Sequence, residues 1–327
     1  MADKIVALRT AEPLSAKAAG DLCGQLITNI ERVVRGKRPI VELALTTLVA
    51  RGHLLLEDVP GLGKTTLAQA LARSFDMSFS RIQFTSDLLP SDILGVSVFD
   101  STRGAFEFKP GPIFANLVLA DEVNRTTPRT QSCLLEAMGE AHVSLDGVTR
   151  PLPSPFAVIA TQNPHEHAGT YPLPESQLDR FLVRLEMGYP TPDVERRLLM
   201  NGGAENELAQ LKPGASAHDL SALQLTAARA KVADEVAQYA LTLCQATRKS
   251  PLVALGVSTR GAIALMRAAQ AWACVHGRDF VAPDDVKHMA SPVLAHRLMA
   301  AGSEAGLGRT ESLRIMADLV DKIPVPE

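Results

Sequence analysis

The sequence has 327 residues, of which 46% are hydrophobic and 21% charged, a composition typical of folded globular proteins and not of disordered chains. This length predicts two domains, or one large domain with an appendage. Lys and Arg number 33 and Asp and Glu 36, giving a net charge of -3 without a block of like charge. That balance argues against a general binder of nucleic acid or anionic membranes.

The sequence shows no pattern for membrane insertion, secretion or zinc binding. Its apolar stretches are too short to span a bilayer, and the first eleven residues are not followed by the apolar segment of a signal peptide. The four cysteines have no C-x-x-C spacing, and His165-Glu166-His167 is not an H-E-x-x-H motif, so we expect reduced thiols and no zinc site. We therefore expect a cytoplasmic protein that is not inserted in a membrane.

Short apolar runs alternate with helical stretches between about residues 40 and 185. This alternation predicts an α/β domain with a largely parallel sheet. Each apolar run ends in polar residues, and sheets of this kind bind their ligands at such strand ends. The predicted strands are residues 52–56, 79–84, 115–120 and 156–160.

Two further segments are predicted to form β-hairpins inserted between those elements. Residues 96–99 and 105–108 flank a polar turn, and residues 142–145 reach Asp146-Gly147, a pair that favours a type I′ turn before Val148. In the first hairpin Arg103 and Lys109 are offset by Asp100 and Glu107, and neither hairpin has a surplus of basic residues. This charge balance argues against insertion into DNA and favours contact with protein.

The sequence becomes rich in alanine and leucine with helical periodicity after residue 190, which predicts a separate all-helical domain. The predicted helices cover residues 232–247, 261–276 and 283–299, and residues 201–214 are predicted to form a loop. The predicted domains are an N-terminal helical segment packed on the core (1–39), the α/β core (40–190) and the helical domain (191–327).

Residues 57–66 have the features of a phosphate-binding loop, because they follow a predicted strand and open a helix. Glycines allow backbone N–H groups to turn toward a phosphate, a lysine neutralises its β and γ oxygens, and a hydroxyl can bind Mg²⁺. The predicted nucleotide-binding residues are Gly61, Leu62, Gly63, Lys64, Thr65 and Thr66, with Thr65 as a Mg²⁺ ligand. Asp58 stands where the usual spacing of the motif has its first glycine.

An acidic pair, Asp121-Glu122, ends the apolar run of residues 117–120. Carboxylates at the end of a buried strand are costly unless compensated, and a bound magnesium ion supplies compensation. Asp121 is therefore predicted to hold Mg²⁺, and Glu122 to orient and deprotonate the attacking water.

Three more polar residues are candidates for the chemistry of phosphoryl transfer. Asn163 follows the predicted strand 156–160 and could hydrogen-bond the γ-phosphate or the attacking water. Positive charge on the γ oxygens beyond one lysine is needed as well, and Arg180 and Arg260 are the candidates for it.

Five segments, taken in order, resemble the MoxR family of AAA+ ATPases: residues 57–66, 119–125, 160–164, 171–181 and 258–260. The resemblance covers most of the chain, and the Asp58-Val59-Pro60 form of the loop is usual in that family. It implies a P-loop NTPase core of the AAA+ type with a parallel sheet and inserted β-hairpins, followed by a small helical lid. It also implies an ATPase that uses ATP and Mg²⁺.

The resemblance further implies a homo-hexameric ring with ATP bound between subunits. In that ring Asn163 would be sensor 1, Arg180 the arginine finger that reaches a neighbour's nucleotide, and Arg260 sensor 2 on either its own or a neighbour's ATP. Val34 and Gly36 resemble the adenine-contacting segment of the family. Arg125 and Arg129 are candidates for the subunit interface.

Members of this family resemble chaperones that activate other protein complexes or load cofactors into them, commonly beside partners with von Willebrand factor A domains. We therefore expect a protein client and such a partner. Two alternatives stay open: a helicase-like ATPase that acts on nucleic acid, which the near-neutral charge disfavours, and a binding module that holds ATP without hydrolysing it. Glu122 argues against the second alternative.

Overall fold

The computed structural model describes residues 11–163, 170–201, 203–302 and 309–326. The strands are β1 Leu54–Glu57, β2 Phe79–Gln83, β3 Gly95–Asp100, β4 Ala105–Pro110, β5 Leu117–Asp121, β6 His142–Leu145, β7 Val148–Pro151, β8 Ala157–Gln162, β9 Val183–Leu185, β10 Val253–Leu255 and β11 Met299–Ala300. The helices are α1 Ala16–Glu31, α2 Arg38–Val49, α3 Lys64–Ser74, α4 Pro90–Leu94, α5 Pro128–Glu140, α6 Glu175–Leu178, α7 Pro192–Asn201, α8 Glu205–Gln210, α9 Ala217–Ala228, α10 Asp234–Lys249, α11 Thr259–Val275, α12 Pro283–Leu294 and α13 Arg309–Lys322.

The central sheet is parallel, with the strand order β2-β5-β8-β1-β9. Its middle strands are almost wholly apolar because both of their faces are covered, as parallel sheets require. The four predicted strands are confirmed. β9 is a fifth strand that the apolar pattern did not predict, since it is three residues long and Arg184 is its middle residue.

Two hydrophobic clusters lie on opposite faces of this sheet, because successive side chains of a strand point to opposite sides. Leu54, Leu56 and Ile159 belong to the cluster that also contains α1, α2, α3 and the helices of the C-terminal part. Leu55 and Val158 belong to the other cluster, which is built against α5. The N-terminal helices and the C-terminal helices thus share one core with the sheet.

The two inserted hairpins are present as predicted. β3 pairs with β4, and β6 with β7, where Asp146 and Gly147 have φ angles of 54° and 73°, as a type I′ turn requires. The hairpins also touch each other, since the Ser97 hydroxyl donates to Asp146 Oδ2 at 2.6 Å and the Arg150 guanidinium lies 3.9 Å from the centre of the Phe108 ring.

The C-terminal part is a helical lid, and several details differ from the sequence prediction. The predicted loop at residues 201–214 was wrong in its middle, because Glu205–Gln210 form α8 and bury Leu208. The predicted helix 283–299 ends at Leu294, and the chain then makes a 3-10 turn and enters β11, which pairs with β10. This short antiparallel pair within the lid was not predicted.

None of the helices in the described ranges combines the length and apolar character needed to cross a membrane. His165, Glu166 and His167 lie outside the described residues. The predicted boundaries between the N-terminal segment, core and lid remain predictions.

Candidate functional site

The phosphate-binding loop connects β1 to α3 at the carboxyl edge of the sheet. Gly61 and Gly63 have φ angles of 85° and 86°, a region in which side chains with a Cβ are strained, so glycine is required at both turns. Gly63 is the N-cap of α3, whose first residues are Lys64, Thr65 and Thr66. The positive end of the α3 dipole therefore faces the space above the loop.

The Lys64 ammonium lies folded over this loop. Its Nζ donates to the carbonyl oxygens of Asp58, at 2.5 Å, and Val59, at 3.0 Å. Burial lowers the pKa of Lys64, and the negative charges of Asp58, Asp121 and Glu122 oppose that shift. The lysine is thus a partly desolvated cation held by neutral carbonyls, and a phosphate can replace those partners.

Asp121 ends β5, and both of its carboxylate oxygens are hydrogen-bonded. Oδ1 accepts from the Thr161 hydroxyl at 2.5 Å, and Oδ2 accepts from Arg81 at 2.6 Å through Nη2 and 3.1 Å through Nε. Arg81 is on β2 and Thr161 on β8, the two neighbours of β5 in the sheet. The three strands together therefore fix this carboxylate.

Glu122 has a φ angle of 58°, which is uncommon for a residue other than glycine and is found mainly at turns and functional sites. Its N–H donates to the Thr161 hydroxyl oxygen at 2.9 Å. Its carboxylate Oε2 accepts from Gln83 Nε2 at 2.8 Å and from Arg125 Nη1 at 3.0 Å. Because the backbone turns at Glu122, its carboxylate has other hydrogen-bond partners than the carboxylate of Asp121 beside it.

These groups line one cavity of about 360 Å³. The cavity brings together most of the predicted chemical residues, which come from the phosphate loop, the end of β5 and the end of β8. They are Gly61, Gly63, Lys64, Thr65, Thr66, Asp121, Glu122 and Asn163. Asn163 is buried, and its carbonyl oxygen accepts from Asn124 Nδ2 at 3.4 Å.

The donor set of this cavity fits a magnesium ion that is bound together with a nucleotide. Mg²⁺ prefers oxygen ligands and is commonly held by one or two carboxylates plus phosphates and water. Thr65 and Asp121 supply a hydroxyl and a carboxylate here, and no group of three or more His, Cys, Asp or Glu residues that could hold a metal occurs in the described ranges. A site shared with phosphate oxygens suits this arrangement better than an all-protein cage.

A second cavity, of about 190 Å³, lies on the other side of the loop. Its lining is mostly apolar and includes the predicted residues Val34, Leu62 and Gly63, which suits a flat aromatic base. Gly36 does not line it but forms the adjacent turn, with a φ angle of 70°. Lining residues that the sequence analysis missed are Val33, Arg35, Lys37, Met187, Pro190, Val194, Leu198 and Ala204.

Arg180 and Arg260 lie outside both cavities. Arg180 Nη1 donates to the Leu135 carbonyl oxygen at 2.7 Å, against Gly139 of α5. The side chain of Arg260 is 64% exposed, with Nε 3.7 Å from Asp179 Oδ2. Within one copy of the chain, neither arginine is part of the cavity that contains Lys64.

Arg81 and Gln83 are two of the residues near the acidic pair that the sequence did not predict, and Thr161 is a third. Arg81 and Gln83 both lie at the end of β2, and Gln83 is in register with Asp121. Arg81 Nη2 donates to Gln83 Oε1 at 3.0 Å, which turns the Gln83 amide nitrogen toward Glu122. The signal was present in the sequence, because two polar side chains with spacing 2 end a predicted strand beside the acidic one.

Comparisons with known protein families agree with this geometry. Residues 53–183 match the family described as "ATPase family associated with various cellular activities (AAA)", and residues 245–315 match the AAA lid domain. A crystal structure of a Cytophaga hutchinsonii protein proposed to be an ATPase superposes with a TM-score of 0.86 at 34% identity, covering 95% of this chain and 97% of that one. A full-length MCM homolog from Methanopyrus kandleri shares the fold, with a TM-score of 0.57 at 18% identity over 86% of this chain and 61% of the other.

Related sequences extend over nearly the whole chain. The protein YeaC of Bacillus subtilis, which has no described function, is 48% identical over 93% of this chain and 95% of its own length. Chaperone MoxR1 of Mycobacterium tuberculosis is 44% identical over 84% and 74%, and the MoxR protein of Paracoccus denitrificans 31% over 90% and 93%. With these relatives and the two AAA matches, the chain belongs to the MoxR family of AAA+ ATPases.

Proposed function

We propose that this protein hydrolyses ATP to ADP and phosphate in a cavity completed by a second copy of the chain, and uses the reaction to remodel a protein client. The observation that carries the proposal is the convergence of Lys64, Thr65, Asp121, Glu122 and Asn163 on one cavity at the carboxyl edge of the sheet. Each supplies a different part of phosphoryl transfer, so the site suits hydrolysis better than binding alone.

The chain's own groups would divide the work as follows. Lys64 exchanges the carbonyl oxygens of Asp58 and Val59 for the β and γ oxygens of the phosphates. Thr65, and Asp121 through a water molecule, would hold the magnesium ion, whose charge would offset that of the phosphates. Glu122 accepts a proton from the attacking water, and Asn163 hydrogen-bonds that water or the γ-phosphate.

We propose that Arg180 completes the site of a neighbouring subunit in a hexameric ring. Its position outside its own cavity supports a role in trans, and its hydrogen bond to the Leu135 carbonyl must then open when subunits assemble. Arg260 is a second candidate cation, acting either on the ATP of its own subunit or on that of a neighbour. Arg125 and Arg129 remain proposed interface residues, and Arg125 is half-exposed while it pairs with Glu122 at 3.0 Å.

The name Chaperone MoxR1 supports a remodelling role and a protein client. We further propose a partner with a von Willebrand factor A domain, which rests on the family resemblance alone. The four cysteines are unpaired, which suits a reducing compartment, and we place the protein in the cytoplasm. The described hairpin β3–β4 carries exposed Phe99 and Phe106, with ring centres 5.3 Å apart, a surface better suited to protein than to a phosphate backbone.

Hydrolysis measured against protein concentration, with light scattering in parallel, tests the composite site. We expect specific activity to rise with assembly, and a monomer that hydrolyses at full rate would contradict it. Lys64→Ala should lose nucleotide affinity, whereas Glu122→Gln should bind ATP and release about 10²-fold less phosphate. Equal phosphate release by wild type and Glu122→Gln would favour a site that does not use this carboxylate.

A mixing experiment tests the role of Arg180 in trans. Arg180→Ala and Glu122→Gln subunits should each be inactive alone, and mixed rings should regain turnover, because some sites then pair an intact Glu122 with a neighbour's Arg180. Failure to regain turnover in rings shown to be mixed would contradict the shared site. A salt-sensitive, several-fold stimulation by DNA or RNA would instead favour the helicase-like alternative.

A further inference from the structure

The segment that joins the core to the lid, residues 186–191, runs between β9 and α7 beside the nucleotide cavities. Met187 and Pro190 line the apolar cavity, and Gly188 between them has a φ angle of 63°. Any change in the angle between core and lid must pass through the peptide groups of this linker. The partners of those groups therefore influence how freely the lid moves, together with the direct contacts between core and lid.

One partner is Asp58, the residue that replaces the first glycine of the usual phosphate-loop motif. Its Oδ2 accepts the N–H of Gly188 at 2.7 Å, and its Oδ1 accepts the N–H of Val59 at 3.2 Å. The carbonyl oxygen of Asp58 accepts from Lys64 Nζ at 2.5 Å. A single residue thus connects the phosphate-binding lysine to the linker, which glycine at this position could not do.

The other partner is Lys37, which lies on the opposite side of the linker and lines the apolar cavity. Its Nζ donates to the carbonyl oxygens of Met187 and Tyr189, both at 2.7 Å. The peptide groups of three consecutive linker residues are consequently held by two charged side chains. Both of these side chains belong to segments that surround the nucleotide cavities.

A buried ion pair anchors the start of the same linker. Glu57, the last residue of β1 and the neighbour of Asp58, pairs with Arg184 of β9 and also accepts from Gln162 of β8. The linker therefore leaves the sheet from a fixed point, since a buried charge pair is costly to separate. Movement is left to the part of the linker that Asp58 and Lys37 hold.

We propose that Asp58 and Lys37 are positioning residues that couple the occupant of the nucleotide cavities to the position of the lid. When Lys64 turns from the Asp58 carbonyl to a phosphate, the loop shifts and the Gly188 hydrogen bond carries that shift to the linker. Lys37 lines the apolar cavity proposed for the base, and its hydrogen bonds to the Met187 and Tyr189 carbonyl oxygens carry a shift of that cavity to the linker in the same way. This inference rests on nucleotide binding at the proposed site but not on hydrolysis.

Fluorescence energy transfer between the core and the lid measures this coupling directly. Labels are placed on cysteines introduced at exposed Glu136 of α5 and Gln245 of α10, and labelled chains are diluted into an excess of unlabelled protein. Three native cysteines are buried, and burial raises the pKa of half-buried Cys133 to about 11, so the native thiols react slowly. The probes are ADP and a non-hydrolysable ATP analogue, with fluorescent ADP to measure affinity.

We expect Asp58→Ala to bind fluorescent ADP with less than about tenfold loss of affinity, the effect of one lost hydrogen bond, and to lose most of the nucleotide-induced change in transfer. Asp58→Asn should restore much of the change, since its amide oxygen can still accept from Gly188. Lys37→Met should also lose the change while the phosphate loop is intact. The matched control is Asp219→Ala, which removes a carboxylate that accepts the Ser216 N–H at 2.8 Å in the lid, and it should keep the full change.

A full change in transfer in both Asp58→Ala and Lys37→Met would overturn the proposal. So would a wild-type protein that binds nucleotide without any change. If Asp58→Ala loses nucleotide altogether, Lys37→Met decides the question by the same criterion. Wild-type protein that binds no nucleotide would refute the proposed function as well, so the two failures are distinguishable.

Discussion

Two ion pairs, one in the nucleotide cavity and one between core and lid, use similar distances for different purposes. In the cavity, Arg81 contacts Asp121 at 2.6 Å and is 49% exposed. Between core and lid, Arg297 contacts Asp179 at 2.7 Å and is 4% exposed, with further hydrogen bonds to the carbonyl oxygens of Leu182 and Phe181. The cation in the nucleotide cavity is therefore half-exposed and can change partners, whereas the cation between core and lid is buried and costly to separate from its carboxylate.

The largest loss of stability should come from breaking the buried ion pair between Arg297 and Asp179. Arg297→Met removes the charge that is buried beside Asp179 and leaves several carbonyl oxygens without their donor. We expect the free energy of unfolding to fall by about 3 to 5 kcal/mol, the usual result of removing one partner of a buried pair. Urea unfolding followed by circular dichroism measures this, and a loss below 1 kcal/mol would contradict the comparison.

Lowering the pH should destabilise the folded protein through two buried histidines that stay neutral in the fold. Burial lowers the pKa of His53 to about 4, against an ordinary value of 6.5, although a hydrogen bond to the Met138 carbonyl opposes the shift. Burial also lowers the pKa of His296, which contacts the Phe181 carbonyl oxygen between core and lid. Both rings are therefore poor proton acceptors in the folded state.

The direction of the pH effect follows from where the proton binds. Below pH 6.5 the unfolded chain protonates His53 and the folded chain does not, so the free energy of unfolding should fall between pH 6.5 and 4, by roughly 3 kcal/mol from this residue. Urea unfolding over that range measures it, with His53→Gln as the variant that should flatten part of the slope. An unchanged slope in the variant would contradict the assignment.

The ion pair between Arg81 and Asp121 should contribute less to stability. Arg81→Met is expected to lower the free energy of unfolding by about 1 kcal/mol, since the Arg81 guanidinium is half-exposed to water and Asp121 keeps the hydrogen bond from Thr161. The same urea experiment compares it with Arg297→Met. Equal losses of unfolding free energy in the two variants would contradict the proposed difference between the ion pair in the cavity and the ion pair between core and lid.

The smallest stability effect should come from Arg260, which contacts the same carboxylate as Arg297 but from solvent. Arg260→Ala is expected to change the free energy of unfolding by less than about 1 kcal/mol, as exposed ion pairs usually do. If it acts as a sensor of nucleotide, hydrolysis should nevertheless fall. A variant with wild-type hydrolysis would remove Arg260 from the proposed site.

The sequence predicted the parts of the molecule in which local pattern and structure agree. Buried parallel strands are continuous apolar runs in the sequence. Closely spaced glycines followed by a lysine predict the phosphate loop, and Gly63 and Lys64 lie where they were expected. Asp121 and Glu122 were predicted because carboxylates at the end of a buried strand are costly unless a bound cation compensates their charge. The role proposed for each residue remains to be measured.

The sequence did not predict features that depend on distant partners. β9 is too short for a periodic pattern, and it is a strand because β1 lies beside it. Nothing local distinguishes Arg297 from a surface arginine, since its burial results from the packing of α12 against the core. Lys37 was missed for the same reason, because its partners lie about 150 positions away in the chain.

The strand order determines when the sheet can form while the chain is being synthesised. β1 carries the phosphate loop, yet its residue Leu54 lies opposite Ile159 on one side and Val183 on the other. A ribosome makes those partners roughly a hundred residues after β1, so the apolar segment leaves the exit tunnel with neither neighbour available. The nascent chain cannot assemble its phosphate loop against a sheet until β8 emerges, so ATP can stabilise only a chain that extends past residue 162.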